Sequence, residues 1–285
     1  MLNIKGFTIA ANTAEFIKTK KSFKEIADIC VKSGFVGIEG DFTLFETKSN
    51  QELKDIKNIF KNNNLVIETF HLPWMDPVKH DLAALYEVDR KKVVDLIKKS
   101  IDQAVVLDSS IGVLHLTTRG DYSTEEEGID RLMLQIGKTL EALLKHCEQH
   151  KFKIAIENMF PDFADLGSKI EHLEEITKRF DHPLLGFCYD TGHSLVSHGE
   201  KALDVFHFMK NKLFCFHLAD NAGDRDSHLA PGHGNFFWKE FVDEVEKIDF
   251  KGTMCVETPP FSYGPNFSIE AWQMMRKELK KLFGV

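Results

Sequence analysis

Short apolar runs alternate with longer amphipathic segments along the whole chain. Most of the short runs are continuously apolar, which is typical of strands that are buried on both faces of a parallel sheet. The predicted strands are Ile4–Ala10, Phe35–Glu39, Leu65–Phe70, Ser110–Leu114, Phe152–Ile156, Leu184–Tyr189, Leu213–Phe216 and Gly252–Val256.

The segments between these strands carry apolar residues at helical spacing. In the first of them, Phe23, Ile26 and Cys30 recur on one helical face, and Gly34 supplies a C-terminal stop. The same pattern predicts helices over about Ser22–Ser33, Asn50–Asn62, Leu82–Leu107 with a candidate break near Glu87, Thr124–His150, Ser168–Phe180, Glu200–Met209, Phe237–Ile248 and Phe267–Phe283.

Eight strand-then-helix units in 285 residues predict an α/β protein with one domain over residues 1–285. Regular alternation favours a parallel sheet, and eight units favour a closed, eight-stranded (β/α)8 TIM barrel. A doubly wound open sheet is the alternative. The chain contains no GxGxxG or Walker loop, so nucleotide binding of those kinds is not indicated.

Charge and composition narrow the function classes. The net charge of −8 argues against nucleic acid as the main partner, because phosphate binding needs a basic surface. The five cysteines are odd in number and widely spread, which indicates buried free thiols in a reducing compartment. The N-terminus lacks a signal-peptide core, and no apolar run reaches the roughly 20 residues that cross a bilayer. We expect a cytoplasmic protein without membrane contact, and the sequence is compatible with a homo-oligomer.

Ionisable side chains recur at the carboxyl ends of the predicted strands, where a barrel builds its active site. A strand-end carboxylate can simply cap the next helix, and a strand-end histidine can simply bond to backbone. Recurrence at seven of eight strands instead favours one shared site for a divalent metal with N and O ligands. The seven residues are Glu39, His71, His115, Glu157, Asp190, His217 and Glu257.

The motifs around these residues resemble those of the xylose-isomerase-like TIM barrel superfamily, which includes sugar isomerases, sugar epimerases and endonuclease IV. Their order and spacing are specific for the superfamily, and they identify no substrate. They are His71-Leu72-Pro73, Ile156-Glu157-Asn158, Tyr189-Asp190-Thr191-Gly192-His193, His217-Leu218-Ala219-Asp220-Asn221, Asp226-Ser227-His228, Pro231-Gly232-His233-Gly234 and Val256-Glu257-Thr258-Pro259.

The resemblance implies a metal site formed by Glu157, Asp190, His217 and Glu257. Carboxylates and imidazole without thiolate suit Zn²⁺, Mn²⁺, Mg²⁺ or Co²⁺. It further implies a sugar or sugar-phosphate isomerase or epimerase that acts on a small sugar-like molecule through a metal-stabilised enediolate. Glu157 and Glu257 would then be the catalytic acid and base.

The resemblance also implies residues that contact the substrate. The candidates are His71, Trp74, His115, His193 and Arg225. Tagatose- and psicose-epimerase-type members usually have an arginine where Asp226-Ser227-His228 stands here. This departure argues against a free-ketose 3-epimerase and makes Arg225 the candidate for the arginine's role.

Endonuclease IV, which holds three zinc ions, provides a second function class. Its ligand pattern finds additional candidate metal ligands in this chain, and the alternative is a multi-zinc phosphodiesterase in which bridged metals activate water. The acidic net charge and the lack of interleaved aromatic and basic residues argue against it. A dehydratase of the same superfamily uses similar metal chemistry and is a further alternative. The additional candidate ligands are His71, His115, His193, Asp226 and His228.

Overall fold

The computed structural model describes residues 3–4, 7–74, 76, 79–117, 128–161, 166–259 and 269–284. Eight parallel strands form a closed barrel with helices between them, as the alternation of elements predicted. β1 Asn3–Ile4 is a short additional strand that pairs antiparallel with β2, and the eight barrel strands are β2 Phe7–Asn12, β3 Gly37–Asp41, β4 Thr69–His71, β5 Ile111–Leu114, β6 Lys153–Glu157, β7 Leu185–Asp190, β8 Leu213–Leu218 and β9 Thr253–Val256.

Pairing between the first and last long strands closes the sheet. β2 pairs in parallel with β9 in a register that joins Thr8 to Thr253 and Ala11 to Val256. Each strand from β2 onward also pairs in parallel with the next strand in the sequence. Closure leaves no edge among these eight strands, which excludes the doubly wound open sheet.

The helices agree with the predicted segments, with two short additions. The helix expected from Leu82 begins only at Glu87, and the short helices Phe42–Phe45 and Thr191–His198 directly after strands were not predicted. Residues 124–127 and 267–268 of two predicted helices lie outside the described residues. The helices are α1 Phe23–Ser33, α2 Phe42–Phe45, α3 Asn50–Asn62, α4 Glu87–Val106, α5 Ile129–His150, α6 Ile170–Arg179, α7 Thr191–His198, α8 Ala202–Met209, α9 Trp238–Lys247 and α10 Ile269–Leu282.

The first predicted strand lies two or three residues too early. Asn3 and Ile4 instead pair antiparallel with Thr8 and Phe7, which turns the N-terminus back along β2. The parallel strand therefore runs on to Asn12 and carries a polar side chain into the barrel. β3 likewise extends two residues past Glu39 and ends at Asp41.

Small side chains fill the barrel interior beneath the strand ends. Because side chains alternate between the two faces of a strand, the residue two positions before an inward-facing ligand also points inward. Ala155, Cys188 and Cys215 hold those positions and pack in a buried cluster with Ile111 and Val113. All five cysteines are buried free thiols, as predicted.

Aromatic side chains fill the layer between the strands and the outer helices. Phe216 of β8 packs edge-to-face on Phe241 of α9 and on Phe250. Phe206 of α8 extends the same cluster. No helix within the described parts of the chain is both long and apolar enough to cross a membrane.

Candidate functional site

Strand geometry gathers the predicted ionisable residues at one end of the barrel. His71, Glu157 and Asp190 are the last residues of β4, β6 and β7. His115 and Glu257 each follow a strand by one residue. All five residues are at most 8% exposed, so they are almost completely buried at this end of the barrel.

Glu157, Asp190, His217 and Glu257 form the centre of the site. One ligand atom from each residue lies within 4.8 Å of those of the other three. His217 Nδ1 is 3.1 Å from Glu157 Oε1 and 3.3 Å from Glu257 Oε1. This set of three carboxylates and one imidazole is the one that the resemblance implied.

Asp190 supplies a structural test of whether these residues fit a metal ion. Its Oδ1 accepts a hydrogen bond of 2.6 Å from the backbone N–H of His193. Its Oδ2 is buried and has no hydrogen-bond partner among the described residues. A buried carboxylate oxygen without a donor, next to two further carboxylates, is costly unless a cation compensates it. The four residues therefore fit a divalent cation.

Glu39 lies behind His217; it was predicted as one of the seven strand-end residues but not as a member of the central ligand set. Its Oε1 is 3.1 Å from His217 Nε2. A hydrogen on Nε2 donated to Glu39 leaves the Nδ1 lone pair directed towards Glu157 and Glu257. Such an outer carboxylate fixes the tautomer and the orientation of a metal-binding histidine.

Asn12 connects the two sides of this arrangement. Its Nδ2 donates to Glu257 Oε1 at 2.5 Å and to Glu39 Oε1 at 3.4 Å. Sequence reasoning missed Asn12 because the predicted strand ended two residues before it. Extending that strand by one period of its alternating pattern would have found it.

Glu157 faces two groups of imidazoles with its two oxygens. Oε1 is 3.1 Å from His217 Nδ1 and 3.2 Å from His193 Nδ1. Oε2 is 3.0 Å from His115 Nε2 and 3.6 Å from His71 Nε2. The geometry places Glu157 between the central set and a neighbouring pair of histidines.

A third group forms around Asp226 in the loop after β8. Asp226 Oδ2 is 2.7 Å from His228 Nε2 and 3.4 Å from His193 Nε2. Asp226 Oδ1 is buried without a hydrogen-bond partner in the described part of the chain. Among the predicted metal ligands, the central four and the five additional candidates thus all lie in one connected cluster.

The charges in this cluster compensate one another. Burial alone would raise the pKa of Glu157, but His217 and His115 hold it well below its usual range. Burial alone would lower the pKa of His217, but Glu257, Glu157 and Glu39 hold it well above its usual range. For His71, the hydrogen bond and charge of Glu157 outweigh burial and raise the pKa to about 9.

Two groups depart from this pattern. Burial raises the pKa of Asp190 to about 7. The positive charge of His193 lowers this pKa, and the negative charges of Glu157 and Glu257 raise it. Burial lowers the pKa of His115 to about 4 although Glu157 is adjacent. A cation beside Asp190 would favour its ionised form, and a neutral His115 keeps a lone pair for a ligand or substrate.

A cavity of 440 Å³ opens above the cluster. Trp74 and Phe160 form part of its wall, and the Phe160 ring lies 4.8 Å from the ring of His193. Two carboxylates that were not predicted, Glu15 and Asp41, also line it. Asp41 Oδ2 accepts from the indole N–H of Trp74 at 3.0 Å, and burial raises the pKa of Glu15 to about 7.

Arg225 lies elsewhere. Its side chain is exposed, and it is not among the described residues that line the cavity. The geometry gives no support to its predicted contact with substrate, in contrast to His71, Trp74, His115 and His193, which all line the cavity.

Asp220 organises the loop that carries Asp226 and His228. Its carboxylate accepts from the backbone N–H groups of Asn221, Gly232, Gly234 and Phe236 and from the indole of Trp238. A Cβ at Gly234 would lie 2.3 Å from Asp220 Oδ1, so the close approach requires glycine. Asp220 therefore holds the loop and does not face the cavity.

Comparison with known proteins identifies related chains. The chain matches the xylose isomerase-like TIM barrel family over residues 27–281. It is 25% identical over 204 residues to the uncharacterised protein y4fM of Sinorhizobium fredii, covering 70% of this chain and 64% of that protein. It is 29% identical over 191 residues to the uncharacterised protein MJ1311 of Methanocaldococcus jannaschii, covering 66% and 62%. The matched region thus spans less than two thirds of either relative.

A further relative is the probable endonuclease 4 of Aster yellows witches'-broom phytoplasma. It is 22% identical over 254 residues, and the match covers 81% of this chain and 83% of that protein.

Solved structures share the whole architecture. A D-tagatose 3-epimerase-like protein superposes with a TM-score of 0.82 at 23% identity, covering 98% of this chain and 97% of that chain. The IolI protein with a bound zinc atom superposes with a TM-score of 0.78 at 17% identity, covering 98% of both chains. At these identities the likeness shows the fold alone.

Proposed function

Because this chain belongs to the xylose isomerase-like TIM barrel family, we propose that it is a divalent-metal-dependent isomerase or epimerase of a sugar-like molecule. The observation that carries the proposal is the position of Glu157 and Glu257 at the same cavity. Both glutamates line the cavity, and both flank His217 in a set whose fourth member, Asp190, has an unpartnered buried oxygen among the described residues.

The chemistry of the central set defines the cofactor. Glu157, Asp190, His217 and Glu257 would hold Zn²⁺, Mn²⁺, Mg²⁺ or Co²⁺. When bound, such an ion polarises a substrate carbonyl and neutralises the negative charge that develops when the adjacent carbon loses its proton. Glu39 holds His217 in the tautomer that leaves Nδ1 free for this purpose.

The two glutamates move the proton. Glu157 ends β6 and Glu257 follows β9, so they approach the cavity from strands that are separated by β7 and β8. One carboxylate removes the proton next to the carbonyl, and the other returns a proton from the other side. His193 lies next to Glu157 and contacts a substrate oxygen in this arrangement.

The charge of the cavity favours an unphosphorylated substrate. Its described lining contains the carboxylates of Glu15, Asp41 and Asp226 besides the central glutamates, four histidines, and no lysine or arginine. A phosphate group would therefore find imidazoles but no lysine or arginine among these residues, whereas hydroxyl groups can donate to the carboxylates. The faces of Trp74 and Phe160 can cover the C–H surface of a sugar ring or chain.

The decisive experiment follows solvent deuterium into a panel of ketoses in the presence of metal. We expect Glu257→Gln to abolish incorporation, because the amide can neither take up nor return a proton. Glu141→Gln, which changes an exposed glutamate on α5, is the control and should retain full exchange.

The metal content of both variants has to be measured alongside, because Glu257 is also a proposed ligand. If Glu257→Gln loses deuterium exchange but keeps its metal, the loss is caused by missing proton transfer and not by missing metal. Undiminished exchange in Glu257→Gln would show that another group moves the proton.

A second function has specific support from the position of Glu157. Its two oxygens face two separate groups of histidines, and Asp226 with His228 extends the cluster. Such an arrangement can hold more than one ion, as a zinc phosphodiesterase requires. The likeness to a protein named probable endonuclease 4 points the same way.

Cleavage of a duplex containing an abasic site tests this second function. Zinc-replete protein that cleaves the duplex, and loses cleavage in His115→Ala, would support it. If zinc-replete protein does not cleave the duplex under the same conditions, the phosphodiesterase function is contradicted and the isomerase proposal is unaffected. The net charge of −8 favours that outcome.

A further inference from the structure

We infer that Asp102, His146 and His150 form a second divalent-metal site, on the opposite end of the barrel from the cavity. One ligand atom from each of the three residues lies within 4.8 Å of those of the other two. This cluster takes no part in the proposed reaction, and its existence does not depend on that proposal.

Two neighbouring helices supply the three side chains. His146 and His150 are four residues apart on α5, so they project from the same helical face. Asp102 belongs to α4, which packs against α5. Its Oδ1 lies 2.8 Å from His146 Nε2 and 3.4 Å from His150 Nε2, so one carboxylate oxygen faces both imidazoles.

The distances suit a tetrahedral ion. Ligand distances of about 2.0–2.1 Å around zinc place neighbouring ligand atoms about 3.4 Å apart. The Asp102–His150 separation already has this value, and the Asp102–His146 separation needs only a small rotation. Asp102 and His150 are partly exposed, so their side chains can make that adjustment.

The ligand set selects the class of ion. Two imidazoles with one carboxylate suit Zn²⁺, Ni²⁺ or Cu²⁺, whereas Mg²⁺ and Ca²⁺ prefer oxygen ligands. Three protein ligands leave a fourth position for water. An ion bound here would connect α4 to α5 and stabilise the folded chain, because the unfolded chain does not bring Asp102 near the two histidines.

The site lies far from the central carboxylates. His150 precedes the start of β6 at Lys153, whereas Glu157 ends that strand. The strand alone rises roughly 13 Å between these ends. The two sites therefore bind metal independently, and a count of ions per chain includes both.

A neighbouring pair of residues provides a matched control. His182 Nε2 lies 3.3 Å from Glu148 Oε1 on the same end of the barrel. This pair has one imidazole and one carboxylate but belongs to no three-residue group of suitable ligands in the described chain. His182→Gln removes a surface histidine of the same kind without affecting the proposed site.

The test is a zinc titration of chelator-treated protein, with bound zinc measured by elemental analysis after equilibrium dialysis. We expect the wild type and His182→Gln to bind one zinc ion per chain more than the His146→Gln/His150→Gln double variant. Asp102→Asn should weaken this additional ion at least tenfold. Circular dichroism checks that all variants are folded.

Equal zinc counts in the wild type and in the double variant would overturn the inference. If His182→Gln loses as much bound zinc as the double variant, the inference is also overturned, because zinc would then bind surface histidines whatever their arrangement. The central site is unchanged in all of these variants, so the outcome is separate from that of the exchange experiment.

Discussion

At the scale of single residues, His217 depends on a partner that is remote in the sequence. Glu39 lies 178 positions away along the chain and contacts the ring nitrogen that does not face the central set. Both side chains are completely buried, so water cannot replace the contact. An imidazole with one tautomer and one orientation is a better metal ligand than a freely rotating one.

This dependence predicts the effect of Glu39→Gln. Removing the carboxylate charge behind His217 should weaken binding of Mn²⁺ or Zn²⁺ to the central site by about 10- to 100-fold, as for other outer-shell partners. Metal titration monitored by calorimetry measures the change. Glu141→Gln serves as the control, and unchanged affinity in Glu39→Gln would mean that His217 keeps its orientation without Glu39.

At the scale of elements, the loop between β8 and α9 carries two of the candidate ligands although it contains no helix or strand. The Asp220 carboxylate provides the hydrogen bonds that a helix or strand would otherwise provide, because it accepts from four backbone N–H groups and one indole. The backbone bridge between Asp220 and Leu229 closes the segment that contains Asp226 and His228. The loop is therefore held at both ends.

This arrangement predicts that Asp220→Asn destabilises the protein by more than about 2 kcal/mol, because the introduced amide directs its own N–H group at buried donors. Denaturation by urea measures the change in the free energy of unfolding. Asp224→Asn, an exposed substitution in the same loop, is expected to have little effect. Equal stability of the two variants would contradict the role of Asp220.

At the scale of the whole molecule, the barrel turns local strand ends into one site. The central ligands come from β6, β7 and β8 and from the residue that follows β9. Closure through β2 and β9 brings Asn12 against Glu257. These two residues form a hydrogen bond although they are 245 positions apart in the sequence. The assembled carboxylates repel one another, so folding and metal binding are coupled.

This coupling predicts that metal removal lowers the thermal stability of the chain. The His146→Gln/His150→Gln variant is the right background, because it lacks the proposed second site and keeps the four central ligands. Mn²⁺ at 100 times its dissociation constant should stabilise this variant by about 2.7 kcal/mol relative to chelator-treated protein. Differential scanning calorimetry measures the shift. In Asp190→Asn added to the same background the shift should become much smaller, and a shift of full size would contradict the proposed ligand set.

Much of this arrangement followed from the amino-acid sequence. Continuous apolar runs and helical spacing are local properties, so they predicted eight strand–helix units and a parallel barrel. Glu157, Asp190 and His217 follow apolar runs directly, and the common direction of parallel strands is enough to place them at one end. The small residues beneath them, such as Cys188 and Cys215, belong to the same alternating pattern.

Only the tertiary structure decided which side chains meet. The exact ends of β2 and β3 depend on pairing with neighbouring strands, so Asn12 and Asp41 were missed. Asp220 faces its own loop because its carboxylate accepts from backbone donors there, and Arg225 is exposed; residue spacing reveals neither. The contact of Glu39 with His217 joins strands on different sides of the closed barrel, and the contact of Asp102 with two histidines of α5 arises from packing of α4 on α5.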